Sequence, residues 1–338
     1  MASRRDWQRV GSKRRFRYVD ADGRELTDEV ELGRIRALAV PPAWRDVRIA
    51  RSPRAKVQAT GVDSIGRKQY LYHPAYRRRR EREKFERLIR FAELLPGLRK
   101  ATAADIELSG LPEDRVAAIA VRLINLGWFR VGSDRYRRAH RTFGITTLRK
   151  SHATVRGTRI SLRYRSKHGT AVRRAVVDPA LAGAMRELLE LPGSCLFRFE
   201  DGDGEVRNLG AARLNAYIRR HLGDGFSAKD FRTWGGTLIA AVALAEAPLA
   251  GSEAEAKRRI AAVMRTVGKK LGNTPAVARN SYVSPAVVDQ YLAGRTIDDF
   301  RPPHSRVIQG RETELDPEER ATLSLLRSWR IRAARAPA

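Results

Sequence analysis

The sequence predicts an α+β chain of two domains, a small β-rich N-terminal domain over residues 1–80 and a larger, mainly helical domain over residues 81–338. Three observations carry this. The chain has 338 residues, 42% of them hydrophobic, which is enough for two cores of ordinary size. Up to about residue 80 the apolar residues fall in short runs broken by turn signals. Beyond Pro74 they recur at helical spacing over most of the remaining chain.

Arg15–Val19 alternates and is followed by Asp22-Gly23, a hairpin-turn pair in which glycine accepts positive φ. Asp28–Leu38 has helical spacing and is expected to stop at Pro41-Pro42. Val47–Ala50, Lys56–Ala59 and Lys68–His73 are each short enough to be strands. From Pro74 to Leu95 a dense Arg/Glu face accompanies Phe85, Leu88, Ile89 and Leu95 at helical spacing, predicting a long basic helix that opens the second domain. A helix over Arg115–Leu126 starts after Pro112-Glu113-Asp114 and stops at Gly127. A strand pair, Thr158–Arg165 and Ala171–Val177, is joined by Ser166-Lys167-His168-Gly169-Thr170. Helices are predicted over Pro179–Leu189, Ala211–Leu222, Ala228–Glu246, Glu253–Leu271 and Pro285–Leu292. A C-terminal helix over 317–335 is charged on one side, and its spacing fits either docking or a partly loose tail.

Against 67 Lys+Arg stand 38 Asp+Glu, a formal charge of +29. Self-repulsion on that scale opposes compaction, and a polyanion relieves it; nucleic acid is the leading partner, because each neutralised phosphate releases condensed counterions. No run of about 18 apolar residues spans a bilayer. Met1–Asp6 lacks the apolar stretch of a secretory signal, and a cytoplasmic, nucleoid-associated location is expected. The single cysteine, Cys195, excludes an internal disulfide and a Cys-based zinc site, and is read as a small core residue. The six histidines (73, 140, 152, 168, 221 and 304) have no metal-ligand spacing, and no Walker-type glycine loop is present, so neither a metal, a nucleotide nor any other cofactor is expected.

Four scattered places in the helical domain hold unusual residues: Trp128-Phe129-Arg130-Val131-Gly132-Ser133 after a helix stop, the hairpin tip at Lys167, Lys229-Asp230-Phe231-Arg232-Thr233-Trp234, and Gly272-Asn273-Thr274-Pro275 followed by Ser281-Tyr282. Singly, each is an ordinary solvated charge or a satisfied buried aromatic. In order and spacing, the set resembles the catalytic domain of type IB DNA topoisomerases, the small poxviral and bacterial form in particular. The stretch Gly61-Val62-Asp63-Ser64-Ile65-Gly66-Arg67-Lys68-Gln69-Tyr70-Leu71-Tyr72 is similar to that family's N-terminal domain, and the likeness runs from about Arg15 to about Gly294.

The resemblance implies a fold of the topoisomerase IB/tyrosine recombinase type, and a monomer closing as a two-domain clamp around double-stranded DNA. It implies single-strand nicking through a 3′-phosphotyrosyl intermediate, supercoil relaxation by strand rotation, and religation without ATP or metal. Tyr282 would be the nucleophile, Arg130 and Arg232 the phosphate-binding arginines, and Lys167 the general acid, with Lys229 in support. The family's histidine is replaced by Asn273, whose amide donates a hydrogen bond but carries no charge; Ser133 stands where the poxviral enzyme has lysine. His168, beside Lys167, is read as a phosphate or loop-packing residue. Arg67, Gln69, Tyr70 and Tyr72 would enter the major groove, although Tyr70 and Tyr72 alternate as a core face also would. Tyr136, Arg149 and Lys150 are further DNA-contact candidates, and Arg77–Arg80 fits phosphate neutralisation or a solvated face.

Two rivals remain at this level. Tyrosine recombinases share the chemistry but carry His-x-x-Arg where this chain has Lys229-x-x-Arg232, place a histidine or tryptophan where it has Asn273, and open with a helical domain. A basic architectural DNA binder explains the charge but not the ordered set.

Overall fold

The computed structural model describes residues 6–12, 15–300 and 313–335. Two units emerge, Met1–Lys84 and Phe85–Ala338, divided inside a 33-residue helix. Met1–Arg5, read above for a signal segment, and His304 lie outside the described residues.

The first unit is an antiparallel sheet of five strands with one helix. The strands are β1 (Trp7–Ser12), β2 (Arg15–Val19), β3 (Arg45–Ile49), β4 (Val57–Val62) and β5 (Lys68–Tyr72), in the order β2-β1-β3-β4-β5. Strand β1 is absent from the sequence reading, because Gln8, Arg9 and Gly11 dilute its alternation; pairing with both β2 and β3 fixes it instead. The Asp22-Gly23 signal makes a real turn. Gly23 has φ +81°, and the Asp20 carboxylate accepts from the backbone of Asp22 and Arg24. The returning strand shrinks to a single bridge, Val19 with Glu25.

Helix α1 (Glu29–Ala37) is capped by Asp28, whose carboxylate accepts from the Val30 and Glu31 amides. It ends at Leu38, short of the prolines, because Ala39 turns to φ 48°. Ile35, Val47, Ile49 and Ala59 form the core, with Trp44 and Leu71 against it. Gly61 allows the close approach, since a Cβ there would lie 2.8 Å from the Trp44 ring.

Helix α2 (Pro74–Ile106) passes the expected stop at Leu95 and carries Pro96 inside it. A proline removes one helical bond. Here Leu95, Leu98, Thr102 and Ile106 are all buried on one face, and that burial outweighs the lost bond.

The second unit is helical around a small sheet. It contains α3 (Glu113–Gly127), α4 (Asp134–His140), the antiparallel β6 (Ala153–Arg156), β7 (Arg159–Arg165) and β8 (Ala171–Val177), α5 (Pro179–Glu190) and the two-stranded β9 (Arg198–Glu200) and β10 (Val206–Asn208). Then follow α6 (Ala211–Leu222), α7 (Ala228–Ala245), α8 (Glu253–Leu271), α9 (Pro275–Ser281), α10 (Pro285–Leu292) and α11 (Pro317–Arg335). The unpredicted elements α4, α9, β6, β9 and β10 are all seven residues or shorter, below the length at which periodicity speaks. Helix α7 is buried nearly all round, and the core gathers about it. Cys195 is only half-buried, in a bridge with Arg149, so it is not the core residue expected.

Helix α11 docks rather than frays. Leu323, Leu325 and Leu326 are buried, and the carboxylate of Glu319, 4% exposed, accepts from both terminal nitrogens of Arg99 (2.9 and 2.7 Å) and from Trp234 Nε1 (3.1 Å). Removing one partner of a buried ion pair strands the other. Glu319→Ala should therefore cost on the order of 3–5 kcal/mol in urea unfolding; a loss below about 1 kcal/mol would mean that Arg99 finds water.

Candidate active site

The site grows from two helix ends. Helices α3 and α8 each finish in a left-handed residue, Trp128 at φ 50° and Gly272 at φ 63°, leaving their last carbonyls without intrahelical partners. Three arginines satisfy them. Arg232 donates to Trp128 O (2.6 Å) and Leu271 O (2.7 Å). Arg174 donates to Gly127 O (2.6 Å) and to Lys270 O. Arg130 donates to Gly272 O (2.9 Å) and, at 3.4 Å, to Leu271 O. Two negative helix-dipole ends thus converge on three guanidinium groups, which is how so much like charge tolerates close packing. Burial, and then the neighbouring Arg232, lower the pKa of Arg130.

Arg232 is only 5% exposed, and its Nε has no hydrogen-bond partner. Its guanidinium carbon lies 5.0 Å from the centre of the Tyr282 ring. Tyr282 sits at the C-terminal end of α9, half-buried. Burial pushes its phenol up, but the Arg232 charge and hydrogen bond, with Arg130 and Lys229 behind them, outweigh this, and the net shift is downward. Tyr164, on the inner face of β7, shows the opposite balance: burial drives it up to about 12 despite Arg174, Arg130 and Arg232 nearby. One phenol in this arginine cluster is thus shifted down and the other up.

The tyrosine is positioned by a stretch that sequence reasoning left unread, Gly235-Gly236-Thr237 in the middle of α7. Glycine inside a helix costs roughly 0.5–1 kcal/mol against alanine, so two in succession need a reason. A Cβ on Gly235 would lie 2.5 Å from the Trp128 indole, and one on Gly236 would lie 2.7 Å from Tyr282 O and 2.8 Å from its Cβ. Thr237 Oγ1 then donates to Tyr282 O (3.2 Å) and accepts from the Ser284 amide (3.1 Å). Gly236→Ala should displace Tyr282, because the added Cβ would meet the Tyr282 backbone and Cβ within 3.0 Å, and should lower the unfolding free energy in urea by about 1–3 kcal/mol, the usual cost of overpacking. A variant as stable as the wild type would show that the backbone near Tyr282 yields freely.

Asn273 is fixed by Arg130, whose Nη2 donates to its Oδ1 at 2.7 Å. That bond sets the amide orientation and leaves Nδ2, at 3.4 Å from Leu271 O, as the donor with capacity to spare. Lys167 is exposed at the tip between β7 and β8, where His168 takes φ 62° and Gly169 φ 72°. The tip reaches the cluster through the preceding residue, because Ser166 Oγ accepts from Arg130 Nη1 at 3.4 Å. Lys229 is exposed on the first turn of α7 and contributes to the Tyr282 shift. The structure therefore brings Arg130, Arg232, Asn273 and Tyr282 together, with Lys229 beside them and Lys167 at their edge.

Tyr136, on α4, is half-buried with its ring 5.9 Å from that of His140; Arg149 is exposed, and Lys150 Nζ donates to Leu191 O. In the β-rich unit, Tyr70 and Tyr72 are 44% and 39% exposed, so they line the open face of β5 and not the core. Their rings stack at 6.0 Å. Arg67 and Gln69 both donate to the Asp63 carboxylate, at 2.7 and 2.8 Å. Partial desolvation works against it, but these bonds and those from the Arg67 and Ile65 backbone hold Asp63 down to about 2.

Sequence reasoning also missed Arg174. Its only signal was an arginine at an inward-facing position of an alternating strand, which reads as nothing until the helix ends are placed.

The chain is similar to known proteins over most of its length. Residues 73–294 match the family model described as the catalytic core of eukaryotic DNA topoisomerase I, and residues 15–63 match that of the N-terminal domain of bacterial DNA topoisomerase IB. A protein of Acanthamoeba polyphaga mimivirus described as DNA topoisomerase 1B is 31% identical over 291 residues, which cover 84% of this chain and 86% of the relative. Two adjoining family matches and a relative similar over most of its length place this chain in the type IB DNA topoisomerase family.

Proposed function

We propose that the protein relaxes supercoiled double-stranded DNA by transient nicking, with Tyr282 as nucleophile. The observation that carries this reading is the approach of the Arg232 and Arg130 guanidinium groups to a phenol whose acidity they raise. The Tyr282 oxygen bonds to phosphorus as the bond from phosphorus to the 5′-oxygen breaks, leaving a 3′-phosphotyrosyl strand and a 5′-hydroxyl. Negative charge grows on the non-bridging oxygens, where Arg130 and Arg232 offer planar, permanently charged donors. Asn273 Nδ2 supplies a neutral donor to the same oxygens. Lys167, on the exposed hairpin tip, protonates the departing 5′-oxygen, with Lys229 in support. Religation is the reverse displacement. The phosphotyrosyl bond conserves the energy of the broken one, so no ATP is called for, and the two arginines supply the positive charge that a metal ion would otherwise bring.

The β-rich unit grips the duplex through Arg67, Gln69, Tyr70 and Tyr72. Tyr136, Arg149 and Lys150 add contacts from the helical unit, and the monomer closes as a clamp in the cytoplasm at the nucleoid. Gln69 and Arg67 exchange Asp63 for DNA when they bind. Relaxation of negatively and positively supercoiled plasmid in EDTA without ATP is the direct test. No relaxation of either, with covalent 3′-adducts at particular sites, would mean a recombinase.

Asn273→His should hold the rate within about threefold or raise it, because imidazole can also donate while accepting from Arg130. A fall of a hundredfold in single-turnover cleavage would show that the amide geometry itself matters.

A further inference from the structure

The three-stranded sheet β6-β7-β8 has two faces of opposite character. Its inner face carries Ile160, Leu162 and Tyr164 into the core, with Arg174 reaching the helix ends. Its outer face exposes Arg156, Arg159, Arg163, Arg165 and Arg173. Register sets Arg163 directly opposite Arg173, and Arg156 opposite Arg159. Like charges in facing positions destabilise a sheet.

Acidic partners would relieve that repulsion, and elsewhere this chain supplies them. On α2, Arg77, Arg79 and Arg80 pair with Glu81 and Glu83, and on α6, Arg213 and Arg220 pair with Glu113 and Asp114. On the sheet's outer face no such pair is present among the described residues. The cause lies in the sequence: between Asp134 and Asp178 there is no acidic residue at all, and there are thirteen Lys or Arg. A merely solvated basic face does not require the exclusion of acids over so long a stretch.

We infer that this outer face is a phosphate-binding strip for duplex DNA, distinct from the Tyr282 site, and that it holds the arm continuing past the scissile bond on the leaving-group side. The direction follows from connectivity. Lys167 stands at the hairpin tip, and Arg165, the Arg163–Arg173 pair and the Arg156–Arg159 pair recede from it in order along the strands, at about 7 Å for every two residues. The placement rests on Lys167 serving the 5′-oxygen as proposed above. That arm is the one that turns during relaxation, so the strip acts as a drag on rotation.

The test uses the full chain with two duplexes that differ only on the leaving-group side, one with an arm of a few base pairs and one with an arm of two helical turns. Arg159→Gln/Arg163→Gln/Arg173→Gln should cleave the short-arm duplex at the wild-type rate. It should bind the long-arm duplex more weakly, with the slope of log K against log salt reduced by about 2–3, at roughly 0.9 per lost phosphate contact. Supercoil removal per nicking event, followed on single tethered molecules, should rise. An unchanged salt slope on the long arm would overturn the inference, and so would a loss confined to the opposite arm. Failure of the wild type to cleave either duplex would instead overturn the Tyr282 reading. Arg163→Gln alone guards against misfolding: relief of the Arg163–Arg173 repulsion should leave the melting temperature equal or higher, with the slope reduced by about 1.

Discussion

Tyr282→Phe is expected to bind duplex DNA with wild-type affinity and to lose cleavage entirely. The exchange removes one oxygen and keeps the ring against Arg232, so packing hardly changes. Nothing else in the cluster offers a comparable nucleophile: Tyr164 is buried on β7 and pushed up to about 12. Covalent adducts trapped on DNA by detergent would disappear, and adducts persisting in the variant would mean that another group attacks. Ultraviolet titration adds a second readout. The Tyr282 phenol should ionise below the ordinary tyrosine value, so its contribution to the absorbance change appears earlier than the rest and is missing in the variant. Because its folded pKa is lowered, the linked stability is present above the unfolded value, about 10, and is lost as pH falls through the folded one. An early phase that survives Tyr282→Phe would belong to a different tyrosine.

Arg232→Gln is the second large effect, and it acts twice. In the proposed mechanism it removes a charged donor from the non-bridging oxygens, an expected loss of ~10²–10³ in cleavage rate by analogy with oxyanion donors. In the resting fold it frees Trp128 O, which Arg232 satisfies at 2.6 Å, and leaves Leu271 O, held at 2.7 Å, with only the 3.4 Å contacts from Arg130 and Asn273. Each unsatisfied buried carbonyl costs roughly 1–3 kcal/mol. Arg232→Lys separates the two effects. It restores charge but not the fork that spans both helix ends, so stability should recover only in part and the rate should stay at least tenfold down. Full recovery of single-turnover cleavage in the lysine variant would show that charge alone suffices and that the fork geometry is incidental.

Much of this molecule is legible in the amino-acid sequence, and the reason differs from part to part. Helices α6, α8, α10 and α11 fall at the predicted bounds, because each carries several turns of apolar periodicity framed by a cap, proline or glycine. The β7–β8 hairpin is legible for the same kind of reason, with alternation on either side of a glycine-containing tip. Arg130, Arg232, Asn273 and Tyr282 could be named because their order and local context resemble one family. That is information about ancestry, and no composition or spacing argument could have supplied their roles.

What the sequence could not say concerns pairing across distance. β1 is a strand only because β2 and β3 flank it, and α2 passes through Pro96 only because its apolar face is covered. Arg174 and the Gly235-Gly236 pair matter only once the ends of α3 and α8 meet beside α7. By itself the sequence determined most of the longer helical and strand segments and the charge, and it named the candidate reacting groups, since these reside in single residues and short periods. The tertiary structure alone decided which carbonyl each guanidinium holds, which phenol becomes acidic, and which arginines are left without an acid. Those are properties of distances between residues 36 to 143 positions apart, and a chain acquires them only when it packs.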